Sequence, residues 1–385
     1  MADNRYLSAK KIWIAIGVII IVLFVGWRWY GGQGSHGNAI EVGVASAQTG
    51  DGAEWGQGEL NAVKMYIDDV NAHGGVDGTP IRLSIEDTRS TGVGTVNAIT
   101  KLISIEQVPA IIGPTWADSF QGGNPIAENA KTVLISPSAA LETVPNKEKF
   151  TYLFSTWWPQ APEIKELRNF MLAQRVKTFA IINDHDSFDT KFADDFEASA
   201  VEGGMKMVDR EQVPIDQTDF RTEIVKIKDL HPDALFIEIE NVSEIGPFMK
   251  QAKELGLSSR IFGSPSVQNA DALSKFGDVM EGLTYVFART PTSTAYDNFV
   301  KGYEAKYGEL PSGPSDLNAY NAVAALVAAL RTGARTGTQI RDALHEIEFP
   351  SITGSKNSFD NIGQIKNADF EMKMVHGGKF ITIPS

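Results

Sequence analysis

From residue 40 onward the chain alternates short apolar runs with longer amphipathic stretches, and the alternation starts over once. Residues 40–45 read as a short buried strand. Leu60, Val63, Ile67 and Val70 then mark one face of a helix that Gly74-Gly75 ends. A strand at 81–86, a helix at 93–105, a strand at 110–113, a helix near 125–130 and a strand at 133–136 continue the series. Strands that alternate with helices in this way predict a parallel sheet covered by helices on both faces.

The second series opens with a helix at 163–173 and a strand at 178–183. Phe188, Phe192, Phe196 and Ala200 form a stripe at i, i+4 spacing, one apolar face of a helix. Strands at 206–212 and 234–238 flank a helix at 220–230, and a helix at 245–255 leads to a strand at 260–263. A strand at 283–288 reads as returning to the first lobe. Helices at 295–307, 316–330 and 338–346 follow, and a hairpin around His376-Gly377-Gly378 closes the chain. The expected fold class is therefore α/β, with two doubly wound parallel-sheet lobes. A length of 385 residues, 43% of them hydrophobic, is enough for two cores and excludes a wholly disordered chain.

The N-terminus predicts a further element. Lys10-Lys11 precede an apolar run at 12–27 that ends in bulky Arg28-Trp29-Tyr30 rather than a small-residue cleavage site. The run nearly reaches the roughly 20 residues that cross a bilayer. Its flanking Arg5, Lys10 and Lys11 place the N-terminus inside. The expectation is one N-terminal transmembrane helix, with residues 1–38 as membrane anchor and linker, a single-pass cell-membrane location, and the body outside the cytoplasm. The competing expectation is a signal peptide cut within 31–38. The later apolar run at 319–330 is too short to span a membrane and reads as a buried helix.

Several functions are excluded or disfavoured. The net charge is −13, and the basic N-terminus leaves the body more acidic still, which disfavours nucleic acid as a partner. With no cysteine there are no disulfides, thiolate metal sites or thiol nucleophiles. Gly50-Asp51-Gly52-Ala53-Glu54-Trp55 approaches the dinucleotide fingerprint, but Trp55 replaces the third glycine and the two acids would repel a pyrophosphate. Gly92-Val93-Gly94 fails in the same way, with Asn97 in the third place. Asp184-His185-Asp186 reads as turn and cap chemistry, and His345-Glu346 lacks the second histidine of a zincin motif. No cofactor, no metal and no catalytic constellation is expected, so the chain reads as a non-enzyme.

A set of ordered motifs carries a resemblance. Val42-Gly43-Val44, Thr49-Gly50, Ile67 through Gly78 (with Asn71-Ala72-His73-Gly74-Gly75-Val76-Asp77-Gly78), Glu86-Asp87-Thr88, Ile111-Ile112-Gly113-Pro114, Leu134 through Ala139, Gln251 through Gly256 and Phe359 through Gly363 occur in that order. In these motifs the chain resembles the type I periplasmic binding proteins of the branched-chain amino-acid (Leu/Ile/Val) class, the substrate receptors of ABC importers. The resemblance runs from residue 40 to the C-terminus. It implies two lobes joined by three crossovers, near 154–158, 282–285 and 350–354. Lobe 1 would be 39–155 plus 285–350, and lobe 2 would be 156–284 plus 351–385.

The resemblance also implies where a ligand sits. Its polar head would meet two lobe-1 loops, 115–119 with Trp116 and Ser119, and 138–140 with Ser138 and Ala139. Trp55 matches a position whose ring covers the ligand. Lobe 2 would add Asp186 and Phe188, Glu240 and Asn241, and Ser264 with Ser266. Trp157 and Trp158 add aromatic surface nearby. Three positions depart from the amino-acid binders: Ala117 and Ala140 stand where hydroxyl residues are usual, and Pro265 where an acid pairs with the α-ammonium. Glu240, Asp186 or Asp118 could replace that acid, or the ligand could lack an amine. The implied function is a receptor that closes around an amino acid, amide or short carboxylate and delivers it to an ABC permease. The alternatives are a membrane-anchored sensor using the same cleft and, less favoured, an enzyme on this scaffold.

Overall fold

The computed structural model describes residues 39–116, 120–239 and 241–384. The expected anchor lies outside them. Among the described residues no helix is long and apolar enough to cross a membrane.

The first sheet contains β1 (Ile40–Ser46), β2 (Ile81–Asp87), β3 (Ala110–Ile112), β4 (Val133–Ser136) and β5 (Leu153–Ser155), in the spatial order β2-β1-β3-β4-β5. β1–β3, β3–β4 and β4–β5 pair in parallel. The second sheet contains β6 (Thr178–Asp184), β7 (Lys206–Val213), β8 (Ala234–Glu238), β9 (Arg260–Gly263) and β10 (Thr284–Ala288). Their order, β7-β6-β8-β9-β10, repeats the winding of the first sheet. A two-residue ladder, β11 (Phe349–Pro350) with β12 (Lys356–Asn357), precedes the final strands β13 (Phe370–His376) and β14 (Lys379–Ile383). β13 joins β10 and β14, antiparallel to both.

Parallel strands are buried on both faces, so successive residues feed two cores. In β6, Phe179 and Ile181 enter one cluster while Ala180 and Ile182 enter the other. The predicted phenylalanine stripe closes the first of these. Phe196 stacks on Phe236 at 4.2 Å, and Phe192 on the same ring at 5.9 Å.

β10 corrects one expectation. It does not return to the first lobe but pairs with β9 and β13 inside the second sheet. Val286 packs in one core of that sheet, and Tyr285 and Phe287 in the other, as a central strand requires. The crossover expected at 282–285 therefore follows this strand, between Ala288 and the helix Thr294–Tyr307, which reaches lobe 1 through a hydrogen bond from Tyr307 Oη to the Asn61 carbonyl at 2.9 Å.

Helices Ala53–Ala72 and Pro314–Arg331 pack closely where Gly58 meets Asp316. A Cβ on Gly58 would lie 2.0 Å from Asp316 Oδ1. Gly58→Ala is expected to destabilise by about 1–3 kcal/mol despite alanine's better helix propensity. Urea unfolding measures this, and an unchanged or raised midpoint would contradict such tight contact.

Candidate functional site

Both sheets are wound so that the strand order reverses beside a central strand, between β1 and β3 in one and between β6 and β8 in the other. Ligands of open α/β sheets bind outside the strands' carboxyl ends at such switch points. The loops after these four strands face each other across one cleft. It contains two adjoining cavities of about 510 and 220 Å³, and both are lined by Asp51, Trp55, Trp116, Trp157, Asp216 and Asn241.

The floor is aromatic. Trp55 stands in the first turn of the helix Ala53–Ala72 and is half-buried. Its ring centroid is 6.1 Å from that of Trp116, edge-on, and 5.8 Å from that of Trp157. Trp157 in turn stacks on Trp158 at 4.3 Å and meets the edge of Phe188 at 6.5 Å. Trp116 adopts φ +65°, a conformation that costs a non-glycine residue energy and needs surrounding support. Its indole lies over Gly52, where a Cβ would come within 3.1 Å of the ring. The indole Nε1 atoms of Trp116 and Trp157 are buried and have no hydrogen-bond partner among the described residues. Each can donate to a ligand oxygen.

A buried carboxyl group ties the lobe-1 loops together. Thr115 Oγ1 donates to Glu59 Oε2 at 2.6 Å and accepts from the Ala47 amide at 3.1 Å. Ser138 Oγ accepts from the Trp116 amide at 3.2 Å. Burial pushes the Glu59 carboxyl up to about 8, against the pull of the Ser138 and Thr115 hydroxyls. The loops after β1, β3 and β4 thus share one network.

Lobe 2 contributes acids and helix starts. Asp186 caps the helix Ser187–Glu202 by accepting from the Phe188 amide at 2.7 Å, and Asp184 accepts from the Asp186 amide at 2.7 Å. Asn241 begins the helix Val242–Glu254 in a capping box with Glu244. Burial, with Asp184 as a like charge nearby, pushes Glu244 up to about 7. Among the described residues, Asp51, Glu54, Asp184, Asp186 and Asp216 line the cleft against a single cation, Lys275. This lining suits a ligand bearing an ammonium or amide N–H, and the free indole donors suit its carboxylate or carbonyl.

Of the residues singled out in the sequence, Trp55, Trp116 and Asn241 line both cavities, and Ser138, Asp186 and Phe188 line the smaller. Ala139 and Ser264 line neither. Ala139 is buried in the first lobe's core, and its carbonyl accepts from Ser155 Oγ at 2.7 Å. Ser264 is fully buried and caps a short turn by accepting from the Ser266 amide, so that Ser266 reaches the cavity instead. Ser119 and Glu240 lie outside the described residues. Sequence reasoning missed Asp51 as a lining residue, Asp216 after β7, and the turn Ser312–Ser315 at the start of the helix Pro314–Arg331. The strand-end rule applied to β7 would have found Asp216, and Gly313-Pro314 before Asp316 marks a helix start. Among the described residues no cluster of three histidines or acids has metal-binding geometry.

Two α/β lobes with one aromatic cleft between their switch points define a two-lobed solute receptor. Residues 39–379 match the periplasmic binding protein family, and the chain belongs to it. Among its relatives, the leucine-, isoleucine-, valine-, threonine- and alanine-binding protein of Pseudomonas aeruginosa is 25% identical over 346 residues, 88% of this chain and 90% of that one. The leucine-specific-binding protein of Salmonella typhimurium is 24% identical over 354 residues, 91% of this chain and 95% of that one. The fold is shared with a branched-chain amino acid transporter substrate-binding protein of Streptococcus pneumoniae in complex with isoleucine (TM-score 0.80, 24% identity, 90% of this chain and 99% of that one). It is also shared with a solute-binding protein of an ABC transporter of Rhodopseudomonas palustris in complex with 3,4-dihydroxybenzoic acid (TM-score 0.79, 23% identity, 90% and 96%).

Proposed function

We propose that the chain is the extracytoplasmic solute-binding component of an ABC importer, held to the membrane by residues 12–30, and that it closes around a small ligand bearing both a carboxylate or carbonyl and an amino or amide group. The observation that carries this reading is the cleft itself, where buried indole N–H donors without partners among the described residues share the lining with an acidic lobe-2 rim. Two kinds of relative support it, those named for aliphatic amino acids and the neighbour solved with an aromatic acid. The tryptophan-rich floor favours a ligand with an apolar or aromatic body over a small polar one.

Closure rotates the lobes about the three crossovers, and only the closed state offers both lobes to the ligand. A micromolar ligand supplies about 8 kcal/mol, more than the roughly 5.5 kcal/mol that carries an equilibrium from 1:99 to 99:1.

A thermal-shift screen of aliphatic and aromatic amino acids, their amides and the matching carboxylates tests the proposal. At a hundred times Kd the binder should stabilise by about 2.7 kcal/mol. If des-amino carboxylates shift the melting temperature as much as the amino acids do, the acidic rim has no part in recognition. If none of the compounds shifts it, the solute class is wrong. The membrane attachment is tested separately by sequencing the N-terminus of membrane-extracted protein. Residues upstream of Gly31 are expected, and a soluble form beginning within 31–39 would refute the anchor.

A further inference from the structure

A third cavity, of about 830 Å³, lies beside the crossovers rather than at the switch points. Segments at or beside the expected crossovers contribute to its wall, through Thr156 and Trp158, through 288–292, and through 351–353 and 355–357. Its charge is opposite to that of the solute cleft. Arg289, Lys356, Lys366 and Lys373 line it against Asp369 alone, in a chain with net charge −13.

Two of the cations on its wall, Lys373 and Arg289, are incompletely neutralised. Lys373 is 8% exposed and Glu371 equally so. Glu371 is the one carboxylate paired with both Lys373, at 3.8 Å, and Arg289, at 3.6 Å. Two cations therefore share a single anion, both at the long end of ion-pair distance. The other Lys373 contacts are neutral, with Gln268 Oε1 at 3.2 Å, Thr290 Oγ1 at 3.0 Å and the Phe287 ring at 4.7 Å. A second observation is independent of charge. Asn318, 6% exposed, lines the same cavity, and its Nδ2 is buried without a partner among the described residues. A buried donor left unpaired is destabilising, and a ligand oxygen would relieve it.

We infer that this crossover-side cavity is a second binding site, that it takes an organic anion with a carboxylate facing Lys373 and Asn318 and an apolar body against Trp158 and Phe287, and that its occupancy is coupled to the solute cleft. Burial of the Lys373 ammonium pushes its pKa below the usual range, in keeping with an incompletely compensated charge. The coupling has a physical route. Gln268 lines both this cavity and the larger cleft cavity, and its Oε1 is held by Lys373 and by Tyr285 Oη at 2.8 Å. An anion that draws Lys373 away alters that contact, and one that bridges the crossovers resists their rotation. Coupling of this kind is reciprocal.

The inference is independent of which solute the cleft binds, and benzoate with its neutral isostere benzamide serves as the probe pair. Calorimetric titration is done on the Trp55→Ala protein, so that binding in the aromatic cleft is weakened in advance. Benzoate should bind, benzamide should bind at least tenfold more weakly, and adding Lys373→Met should reduce benzoate affinity at least tenfold. Because Lys373 is buried, Arg289→Gln at the more exposed position is a second variant, expected to weaken benzoate severalfold, and circular dichroism checks that each variant is folded. Equal binding of benzoate and benzamide, benzoate affinity unchanged in both charge variants, or no benzoate binding at millimolar concentration would each overturn the site. Benzoate affinity for the unaltered chain that does not change when the cleft's solute is saturating would overturn the coupling.

Discussion

Trp55→Ala is expected to weaken solute binding tenfold or more while unfolding stability changes by less than about 2 kcal/mol. The half-buried Trp55 ring borders both cavities of the cleft, and its contacts are largely with other rings of the same floor, Trp116 and Trp157. Covering about 100 Å² of indole with ligand is worth roughly 2.5 kcal/mol. Trp157 provides the contrast. It is 3% exposed and stacked on Trp158, so its truncation should cost about 3–5 kcal/mol of stability. Titration and urea unfolding of the two variants separate the roles. A large stability loss in Trp55→Ala with unchanged affinity per folded molecule would make Trp55 a packing residue.

The second large effect is on stability against pH. Glu59 is fully buried, and its carboxyl is raised from 4.5 to about 8. Between those values the folded protein keeps the proton while the unfolded chain releases it. The stabilisation is therefore complete below about 4.5 and is lost as pH rises toward 8. Asp316, raised from 3.8 to about 7, and Glu244, raised from 4.5 to about 7, act in the same direction. The protein should be more stable at pH 5.5 than at pH 8, by a few kcal/mol in all. Glu59→Gln should keep the Thr115 hydrogen bond and flatten part of this slope. Glu59→Ala should lose about 2–4 kcal/mol at pH 5.5, by leaving the hydroxyl donors of Thr115 and Ser138 without their carboxyl acceptor, and less at pH 8, where the unaltered protein has already lost most of this contribution. A melting temperature that is flat or rising from pH 5.5 to 8 would show that these acids are ionised in the fold.

Much of this architecture is legible in the sequence, because a strand buried on both faces reads as a continuous apolar run and a covering helix as a periodic one. Ile181-Ile182 and the Phe188–Ala200 stripe are examples. Membership of a sheet is not written locally. Tyr285-Val286-Phe287 signals a buried strand, yet its antiparallel partner is β13, more than eighty residues away. The site divides along the same line. Trp55 and Trp116 follow strands whose position in a doubly wound sheet can be inferred. Asp216 and the turn Ser312–Ser315 arrive through the packing of distant segments and carry no motif. Ala139 differs from Ser138 by one position, and at a strand end one position decides between core and cavity.

The return of the chain to the second sheet at β13 also shapes how that sheet assembles. β10 has β9 on one side, and among the described residues its other edge is covered by β13, more than eighty residues further along the chain. Phe370, Met372 and Val375 of that strand fill both cores of the second lobe. The second lobe therefore lacks part of both cores until β13 docks, and contacts of such long sequence separation form slowly. The cooperativity of the second lobe is thus set by its most distant strand, and loss of β13 would expose one edge of β10 and open both cores at once.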